Sequence, residues 1–467
     1  MQKSENILIG QRNFTLADQL DFAKFSGDAN PIHIDTKYAR KTIAGQCIVH
    51  GINGLMWAMD SFIAETGLVP SSIKVKFIKP IYLNENITCY WNSDNKQLTI
   101  LSGDISLTMM TLAFGEMPAV VEGRIIARHP LAAPRFINKK SWLKFGKEAL
   151  HFRGDKELAR ATYPKLSVVY GVEVAAEIAM ISEVVGMHMP GLNSLILSAN
   201  INLDMRSIES VFTIKKVDDR FDLITLQIHS PNIASEVKCF LTPEATITPS
   251  FEKLNESIDP KEFDSIRALI IGGSRGLGEA TARSIAAGGG KVSLTYSNGY
   301  SEAKIIQNDC LRGGRTCSVF KVTVPQDIDT LKNLDKFNQI YYFPTPKIFG
   351  KRSNNFQNEK YGEFYKIYVN GFSDLIRQLN TYKFKGPVYY PSTIAIENPT
   401  PDLAEYIEAK KEGEFLCKEL NGINGINIIV TRLPRSDTDQ TKSLIKVSAK
   451  DPNSIMVDII RKMISYN

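Results

Sequence analysis

Residues 25–51 read FSGDANPIHIDTKYARKTIAGQCIVHG, a run that combines a carboxylate, an imidazole and a glycine-led helix start. Asp28 lies five residues before His33, and Pro31 stiffens the turn between them. A carboxylate and an imidazole that meet in space can hold a water molecule and exchange acid and base roles. Gly51 opens an apolar helical run, where a backbone N–H without a neighbouring Cβ can stabilise an oxyanion. The run therefore predicts an acid–base site.

The same residues resemble the MaoC-like, R-specific hydratase/dehydratase family, whose signature is G-D-x-N-P-[LI]-H-x-D followed by V-H-G. Gly27 to Asp35 fit the first part, and Val49 to Gly51 follow at the expected distance. The resemblance implies a hot-dog fold and the dehydration of a 3-hydroxyacyl thioester carried by CoA or an acyl carrier protein. It also implies that Asp28, His33 and Gly51 are catalytic. The alternative is structural, with DANP as an Asx-capped turn and His33 as a satisfied buried histidine.

An internal repeat extends this pattern towards the middle of the chain. A shift of 120 residues pairs Gly51 with Gly171 and gives twelve identities over residues 24–83. Such self-similarity predicts two copies of one module, each with a long apolar helix followed by β-rich runs. We therefore expect an α+β double hot-dog, with one copy at residues 1–125 and the second at residues 126–243.

The second copy lacks the acid–base pair under this alignment. The shift replaces Asp28 by Glu148 and His33 by Arg153, while the framework persists. In double hot-dog members of the MaoC-like family one half is catalytic and the other widens the acyl pocket, and this chain resembles that arrangement. We interpret the second copy as inert, with Arg153 either contacting a phosphate of the substrate carrier or serving as a plain surface arginine.

A change of composition marks the next boundary. Residues 244–264 are rich in Pro, Ser, Thr and charged residues without apolar periodicity, which predicts a linker. Residues 265–278 then read SIRALIIGGSRGLG, an apolar strand followed by spaced glycines and a helix start. Such glycines let the backbone approach a pyrophosphate, which rests on the helix N-terminus. Residues 265–467 are therefore predicted to form an α/β Rossmann-type, doubly wound parallel sheet.

The glycine spacing resembles that of the short-chain dehydrogenase/reductase family, and three further features agree with it. Tyr406 and Lys410 form the family's Y-x-x-x-K on a helix. Ser392 and Thr393 end a strand fourteen and thirteen residues before the tyrosine, and Asn370 matches the family's asparagine. The resemblance implies that Tyr406 donates a proton to the forming alkoxide, while Lys410 lowers its pKa and holds the ribose. It further implies that Ser392 binds the carbonyl oxygen and Asn370 supports a proton-relay water.

The expected cofactor is NADP(H) rather than NAD(H). The second strand ends in Tyr296, Ser297 and Asn298, without an acidic residue to bind a ribose 2′-hydroxyl, and Arg275 is close to where a 2′-phosphate would lie. The residues predicted to bind the cofactor are Gly272, Ser274, Arg275, Gly276, Leu277, Gly278, Tyr296, Ser297, Lys410 and Thr438.

Other parts of the reductase pattern are eroded. Ile271 stands where the family usually has Thr, YYFPTPKI replaces its N-N-A-G stretch, and Arg435 replaces a Gly. Two interpretations stay open: an active reductase with an unusual substrate, and a domain that binds a nucleotide or a partner without turnover.

The composition excludes several classes of protein. The 467 residues are 43% hydrophobic and 23% charged, as in ordinary globular domains, and a net charge of +6 is small for a nucleic-acid-binding protein. The six cysteines form no C-x-x-C pair, which favours reduced thiols and predicts no metal site. The sequence shows neither a secretory signal nor a membrane span. We expect a cytoplasmic protein without nucleic-acid or membrane partners, and the reductase resemblance favours a homodimer.

The chemistries implied by the two halves are consecutive. Reduction of a 3-oxoacyl thioester gives a 3-hydroxyacyl thioester, and loss of water from that gives a trans-2-enoyl thioester. The sequence therefore predicts a bifunctional, NADPH-dependent ketoreductase–dehydratase of fatty-acid-like or polyketide-like biosynthesis. One alternative is an enoyl-CoA hydratase joined to an oxidative 3-hydroxyacyl dehydrogenase. The other is an active dehydratase joined to a reductase-like domain that only binds a nucleotide or a partner.

Overall fold

A computed structural model of the chain divides into two compact units, Met1–Glu244 and Ala245–Asn467. Two residues named above, Arg153 and Thr438, lie outside the described residues. The structure describes residues 6–116, 119–121, 133–135, 137, 141–142, 145–150, 155–203, 210–242, 249–346, 348, 356–400, 403–436 and 450–466.

The first unit contains one sheet and seven α-helices among its described residues. The strands are β1 (Ile7–Asn13), β2 (Ser72–Phe77), β3 (Asn86–Asn92), β4 (Gln97–Ser102), β5 (Ile105–Ala113), β6 (Lys147–Ala149), β7 (Ser194–Asn202), β8 (Val211–Asp218), β9 (Leu223–His229) and β10 (Ala234–Leu241). The helices are α1 (Leu16–Ser26), α2 (Pro31–Ile34), α3 (Thr36–Ala39), α4 (Gly51–Thr66), α5 (Lys156–Thr162), α6 (Pro164–Tyr170) and α7 (Val172–Glu183). A π-helical turn, Val184–His188, continues α7.

The strand order of this sheet repeats itself about the centre. In the described part of the unit it is β1-β3-β4-β5-β2-β7-β10-β9-β8-β6, so each half has the same internal order counted from the centre outwards. β2 and β7 pair antiparallel at the centre, with Val75 opposite Ala199. Along β3 and β4, every second residue is buried, because successive side chains of a strand point to opposite faces. This repeated order is of the kind expected for the two copies predicted from the sequence, whose bounds stay a prediction.

One long helix in each half packs into the core of the unit. α4 begins at Gly51, as predicted, and ends at Gly67, whose positive φ of 68° suits glycine. Its neighbour α7 is apolar on nearly all sides, which is typical of a helix buried between other elements. Residues of both helices and of both halves of the sheet form one hydrophobic cluster.

The correspondence between the two halves differs from the predicted one beside the acid–base pair. Glu148 lies on β6, which pairs with β8 as β1 pairs with β3, whereas Asp28 follows α1. Residues 27–50 separate α1 from α4, whereas only residues 163–171 separate α5 from α7. The prediction that Glu148 replaces Asp28 was therefore wrong. The second half lacks most of the segment that carries the pair, and an ungapped shift cannot represent such a deletion.

The second unit contains a parallel sheet with helices on both faces. Its strands are β11 (Arg267–Ile271), β12 (Lys291–Tyr296), β13 (Cys317–Lys321), β14 (Gln339–Tyr342), β15 (Gly386–Thr393) and β16 (Ile426–Leu433). Its helices are α8 (Phe251–Asn255), α9 (Gly276–Ala287), α10 (Tyr300–Arg312), α11 (Asn358–Tyr365), α12 (Phe372–Thr381), α13 (Ala404–Leu420) and α14 (Pro452–Ile464). Among the described residues, no helix combines the length and the apolar character needed to cross a membrane.

The order of these strands is that of a doubly wound, dinucleotide-binding sheet. Over the described residues it is β13-β12-β11-β14-β15-β16, and every pairing is parallel. One hydrophobic cluster contains residues of α9, α10 and α14, and another contains residues of α11, α12 and α13. The predicted doubly wound parallel sheet is confirmed by this arrangement.

Part of the predicted linker is folded. Leu254 on α8, together with Ile258 and Phe263, is buried in a core cluster of the second unit. The Phe263 ring also lies against Gly288, where a Cβ would be only 2.4 Å from its Cδ2 atom. The described part of this segment, residues 249–264, therefore belongs to the second unit, contrary to the prediction of a linker.

Candidate active sites

Local capping builds the turn that carries Asp28. α1 ends at Gly27, whose φ of 86° is unstrained only for glycine. The Asn30 side chain accepts a hydrogen bond from the backbone of α2, and Pro31 occupies the first turn of that helix. Asp28 and His33 lie on either side of this cap and are only 2% and 7% exposed. The sequence run thus folds as a capped turn that places both groups in the interior.

Asp28 accepts hydrogen bonds from both halves of the unit. Its Oδ2 accepts from Ser182 Oγ at 2.6 Å, and its Oδ1 accepts from the Asn30 backbone N–H at 3.0 Å. Burial raises the pKa of Asp28 to about 7, although these two hydrogen bonds lower it, and the nearby Glu183 charge raises it further. Near neutral pH this carboxyl group can therefore either accept or donate a proton.

His33 is held as a neutral proton acceptor. Its Nδ1 donates to the carbonyl oxygen of Ile48 at 2.9 Å, so its Nε2 keeps the lone pair. Burial lowers the pKa of His33 to about 4, and the hydrogen bond to Ile48 opposes this shift. The ring of His50 stacks on His33 with the centroids 3.9 Å apart. His50 belongs to the V-H-G motif, but the sequence pattern predicts no role for it.

The second half of the unit closes one side of this site. The side chain of Asn30 donates to the carbonyl oxygen of Gly186 at 3.1 Å. A Cβ on Gly186 would lie 2.3 Å from Asp28 Oδ1, so a larger residue in this part of the π-helical turn would displace the Asp28 carboxylate. Sequence reasoning missed Ser182 and Gly186, because no motif surrounds them. A glycine near the end of an apolar helix is the one signal that pointed to this place.

Gly51 occupies the predicted position at the N-terminus of α4. A Cβ there would lie 2.9 Å from a ring carbon of Phe77, so any larger residue would have to displace this ring. The first N–H groups of an α-helix have no partner within the helix. Gly51 directly follows His50, whose ring lies on His33. The structure therefore brings the start of α4 next to the predicted pair.

The geometry of this site suits proton transfer better than metal binding. Among the described residues, Asp28, His33 and His50 offer ligand atoms within 4.8 Å of one another. The two imidazole rings lie face to face, so their in-plane lone pairs do not converge on one point. Nδ1 of His33 and both ring nitrogens of His50 already contact carbonyl oxygens.

The glycine-rich turn of the second unit lies between β11 and α9, as predicted. Gly272 and Gly276 have positive φ angles of 74° and 57°. A Cβ on Gly278 would lie 2.4 Å from the carbonyl oxygen of Gly272, so this glycine allows close contact between strand and helix. The backbone N–H of Gly272 donates to Thr295 Oγ1 at 3.0 Å and thereby ties the turn to β12.

The other predicted cofactor residues surround this turn. Arg275 is the N-cap residue of α9, and Ser274 and Leu277 flank the cap. Tyr296 ends β12 and packs against Tyr300 with the ring centroids 5.6 Å apart. The next residue, Ser297, shares a hydrogen bond with Thr323 at 3.1 Å. These residues stand at the carboxyl end of the first two strands, where doubly wound sheets bind ligands.

Tyr406 and Lys410 lie one turn apart on α13. Lys410 Nζ donates to the carbonyl oxygen of Pro391 at 2.7 Å. It also lies 3.8 Å from the ring centroid of Tyr368 and 4.9 Å from that of Tyr390. Burial lowers the pKa of Lys410 to about 7 and raises that of Tyr406 to about 12.

The hydroxyl beside Tyr406 belongs to Thr393, and the prediction for Ser392 was wrong. The Thr393 side chain hydrogen-bonds the Tyr406 phenol and thereby lowers its pKa. Ser392 Oγ instead donates to Glu414 at 2.5 Å, and Glu414 is paired with Arg432. Consecutive side chains of a strand point in opposite directions, so only one of the two hydroxyls can face the tyrosine.

Asn370 shows no contact with Tyr406 or Lys410 among the described residues, so its role in this site stays a prediction. It is exposed, within a π-helical turn at Lys366–Gly371. Tyr368, two residues earlier, is 1% exposed and faces Lys410. A π-turn adds a residue to the helical repeat and so changes which side chains face inwards.

Several solved structures resemble part of the chain. The FolM alternative dihydrofolate reductase 1 from Brucella suis, in complex with NADP, is 14% identical, with 44% of this chain and 90% of that chain covered and a TM-score of 0.37. The angucycline C-6 ketoreductase LanV with bound NADP is 17% identical, with coverages of 43% and 89% and a TM-score of 0.38. A short chain dehydrogenase from Burkholderia cenocepacia in complex with NADP is 15% identical, with coverages of 42% and 89% and a TM-score of 0.37. The fold of the second unit rests on its own strand order.

Part of the first unit matches a known protein family. The sequence has no match among the curated proteins. Residues 7–118 match the family model described as the MaoC like domain, and this range includes Asp28, His33, His50 and Gly51. About a quarter of the chain therefore matches this family model.

Proposed function

We propose that the first unit is a 3-hydroxyacyl-thioester dehydratase whose acid–base groups are Asp28 and His33. The observation that carries this proposal is their shared burial beside the N-terminus of α4. His33 presents an unprotonated Nε2, because its Nδ1 donates to a carbonyl oxygen. Asp28 has a pKa of about 7, so it exchanges a proton in the neutral range.

In the proposed reaction, His33 acts as the base and Asp28 acts as the acid. Nε2 of His33 takes the α-proton, and the thioester oxygen gains negative charge as the enolate forms. The N–H groups at the start of α4, beside Gly51, stabilise that charge. Asp28 in its protonated form gives a proton to the departing hydroxyl, which leaves as water. Hydration of the trans-2-enoyl thioester is the reverse of these steps.

The second half of the unit contributes groups to the site of the first half. Its strands repeat the order of the first half, and the segment between α5 and α7 is short. We interpret the unit as a double hot-dog in which one half is active, with Ser182 and Gly186 from the other half completing the surroundings of Asp28.

Substrate chirality tests the dehydratase. We expect the protein to convert (R)-3-hydroxyacyl thioesters to trans-2-enoyl thioesters and to leave the S enantiomers unchanged. The assay follows enoyl absorbance on both CoA and acyl-carrier-protein thioesters, because the proposal leaves the carrier open. Conversion of neither enantiomer on either carrier would exclude the proposed activity.

For the second unit we propose an NADP(H)-dependent 3-oxoacyl reductase. The glycine turn at the start of α9 fits a dinucleotide, since a Cβ on Gly278 would fill the space beside Gly272. Tyr296, Ser297 and Asn298 at the end of β12 favour a 2′-phosphate over a free 2′-hydroxyl. NADPH would supply the hydride. Tyr406, hydrogen-bonded to Thr393, would give the proton to the forming alkoxide.

A second candidate is favoured by the surroundings of Lys410. Its ammonium already contacts a carbonyl oxygen and two aromatic rings, and Asn370 is exposed. These observations favour a domain that binds the nucleotide without turnover. NADPH oxidation with 3-oxoacyl thioesters separates the two candidates. Turnover that is lost in Tyr406→Phe supports the reductase, whereas NADPH binding without turnover on either carrier supports the binding domain.

A further inference from the structure

His50 is fully buried beside the proposed acid–base pair, and the proposed reaction does not use it. Its ring stacks on His33 at 3.9 Å and packs against Phe22 at 4.8 Å between centroids. Its Nδ1 lies 2.9 Å from Oε1 of Gln19. Its Nε2 lies 3.1 Å from the backbone oxygen of Asp28. Each ring nitrogen is therefore within hydrogen-bond distance of an oxygen.

Both of these oxygens are acceptors. The backbone carbonyl of Asp28 has no proton to give. The Gln19 amide cannot be reversed, because the backbone N–H of His50 donates to the same oxygen at 3.0 Å. Asn53 Nδ2 approaches that oxygen as well, at 3.5 Å. Both contacts can be hydrogen bonds only when each ring nitrogen of His50 carries a hydrogen, and an imidazole with two N–H groups is an imidazolium.

A buried imidazolium requires a counter-charge nearby, and Asp28 provides one. Asp28 Oδ2 lies 4.0 Å from His50 Nε2. The titratable groups that face the ring are Asp28 and His33, and Glu183 acts on Asp28 through its charge. Burial disfavours charge on either partner alone, since it raises the pKa of Asp28 and lowers that of His50.

A pair that holds one proton is neutral overall wherever that proton resides. When the proton is on Asp28, one nitrogen of His50 faces an acceptor with its lone pair. When the proton is on His50, both contacts of the ring become hydrogen bonds. The hydrogen-bond geometry therefore favours a carboxylate on Asp28 and an imidazolium on His50.

We propose that His50 is a positioning residue that stores, as an imidazolium, the proton that Asp28 donates in the dehydration. In the resting site His50 is the counter-ion of the Asp28 carboxylate. When Asp28 Oδ2 and His50 Nε2 approach from their resting separation of 4.0 Å to hydrogen-bond distance, transfer of the proton between them makes both groups neutral and turns Asp28 into the acid. His33 remains the proton acceptor, because a second positive charge on the stacked rings is disfavoured. The inference rests on the proposed dehydratase, but the resting charge is measurable without turnover.

Nitrogen–proton correlation spectra of the full-length protein, labelled with 15N at its six histidines, test this charge directly. We expect two protonated ring nitrogens for His50 at pH 7, identified by the loss of these signals in His50→Gln. The control His229→Gln lies on β9 and keeps them. Gln19→Glu keeps an acceptor and is expected to retain both protonated nitrogens, whereas Gln19→Leu is expected to lose one. A single protonated nitrogen on His50 in the wild-type protein overturns the proposal.

The pH dependence of turnover gives a second readout. In hydration of an enoyl thioester, His50→Gln is expected to lower kcat on the order of 100-fold, with KM little changed and one limb of the pH profile displaced. An unchanged pH profile in this variant contradicts the proposal. If the wild-type protein shows the imidazolium and no hydration, the proposed function fails while the assignment of charge stands.

Discussion

Two aspartates of one short sequence run differ in what surrounds them. Asp35 is exposed and caps α3 by accepting from the backbone N–H groups of Lys37 and Tyr38. Asp28 is 2% exposed, and burial rather than a charged partner is the largest cause of its raised pKa. The spacing in the sequence identified Asp28 and His33 as a pair. No sequence motif predicted the hydrogen bond from Ser182, which lies in the other half of the unit.

The raised pKa of Asp28 makes the stability of the protein depend on pH. A carboxyl group with a pKa of about 7 in the folded state, against 3.8 ordinarily, binds its proton more tightly when folded. In the proposed pair this proton is shared with His50, whose ordinary pKa is 6.5, so the unfolded chain holds an equivalent proton until about pH 6.5. The stabilisation is therefore lost as the pH rises from about 6.5 through 7, at up to about 1.4 kcal/mol per pH unit. We expect the wild-type Tm to fall between pH 6.5 and pH 8 and that of Asp28→Asn to fall less. Asp35→Asn is the control that keeps the wild-type slope, and equal slopes in all three proteins would refute this expectation.

The hydroxyl that serves Tyr406 is open to a direct comparison. Thr393→Ala removes the partner of the phenol and is expected to lower kcat for NADPH-dependent reduction on the order of 100-fold. Ser392→Ala removes a contact to Glu414 and is expected to change kcat much less. Steady-state kinetics of the two variants check this order. A larger loss in Ser392→Ala would restore the original assignment.

At the scale of single elements, the π-helical turn after α7 shapes the first site. Gly186 lies in this turn against Asp28, so Gly186→Ala is expected to displace the carboxylate and abolish hydration while the unit stays folded. Gly146→Ala is the matched control, because a Cβ there meets nothing within 4 Å. Circular dichroism and enoyl hydration of both variants provide the measurement. Full activity in Gly186→Ala would show that Asp28 does not need its present position.

In the second unit, the turn between β11 and α9 also depends on a glycine with little space around it. Gly278→Ala places a Cβ 2.4 Å from the carbonyl oxygen of Gly272. This variant is expected to raise the Kd for NADPH at least tenfold, which corresponds to a loss of about 1.4 kcal/mol of binding free energy. Gly362→Ala on α11 adds a methyl group to open space and serves as the control. Titration of NADPH fluorescence measures both variants. Unchanged binding in Gly278→Ala would argue against a dinucleotide at this turn.

Element boundaries were easier to predict than the side chains that face a site. The start of α4 at Gly51 and the strand–turn–helix around Gly272 follow from local patterns that neighbouring residues fix. The choice between Ser392 and Thr393 depends on the alternation of one strand, and the choice between Asn370 and Tyr368 depends on a π-turn. The spacing of residues along the chain does not predict which side of the strand or of the helix faces the site.

At the scale of the whole molecule, the proposed reactions of the two units are consecutive. With NADPH and a 3-oxoacyl thioester, the wild-type protein is expected to form the trans-2-enoyl thioester. Asp28→Asn is expected to stop at the 3-hydroxyacyl thioester, and Tyr406→Phe is expected to consume no NADPH. Mass spectrometry of the thioesters distinguishes the three outcomes. Formation of the enoyl product by Asp28→Asn at the wild-type rate would show that the dehydration does not depend on Asp28.

The parallel sheet of the second unit was largely predictable, whereas the relation between the two halves of the first unit was only partly so. The repeat about Gly51 and Gly171 corresponds to two halves with one strand order, because equivalent helices and strands keep their apolar patterns. The predicted equivalence of Glu148 and Asp28 was wrong, because the segment before α7 is shorter than the segment before α4. A constant shift of 120 residues therefore does not align the residues that precede these two helices. The buried residues of α8 escaped notice, because a single turn of helix carries too few apolar positions to show a period.

Hydration of a trans-2-enoyl-CoA or the corresponding carrier-protein thioester tests the central claim most directly. The purified protein is followed by loss of enoyl absorbance, beside Asp28→Asn and His33→Ala, with Asp35→Asn as a folded control. We expect the wild-type protein and the control to form the (R)-3-hydroxyacyl thioester, and both site variants to lose activity by roughly 10²-fold to 10⁴-fold. Undiminished hydration in either site variant would contradict the assignment of Asp28 and His33 as the acid–base pair.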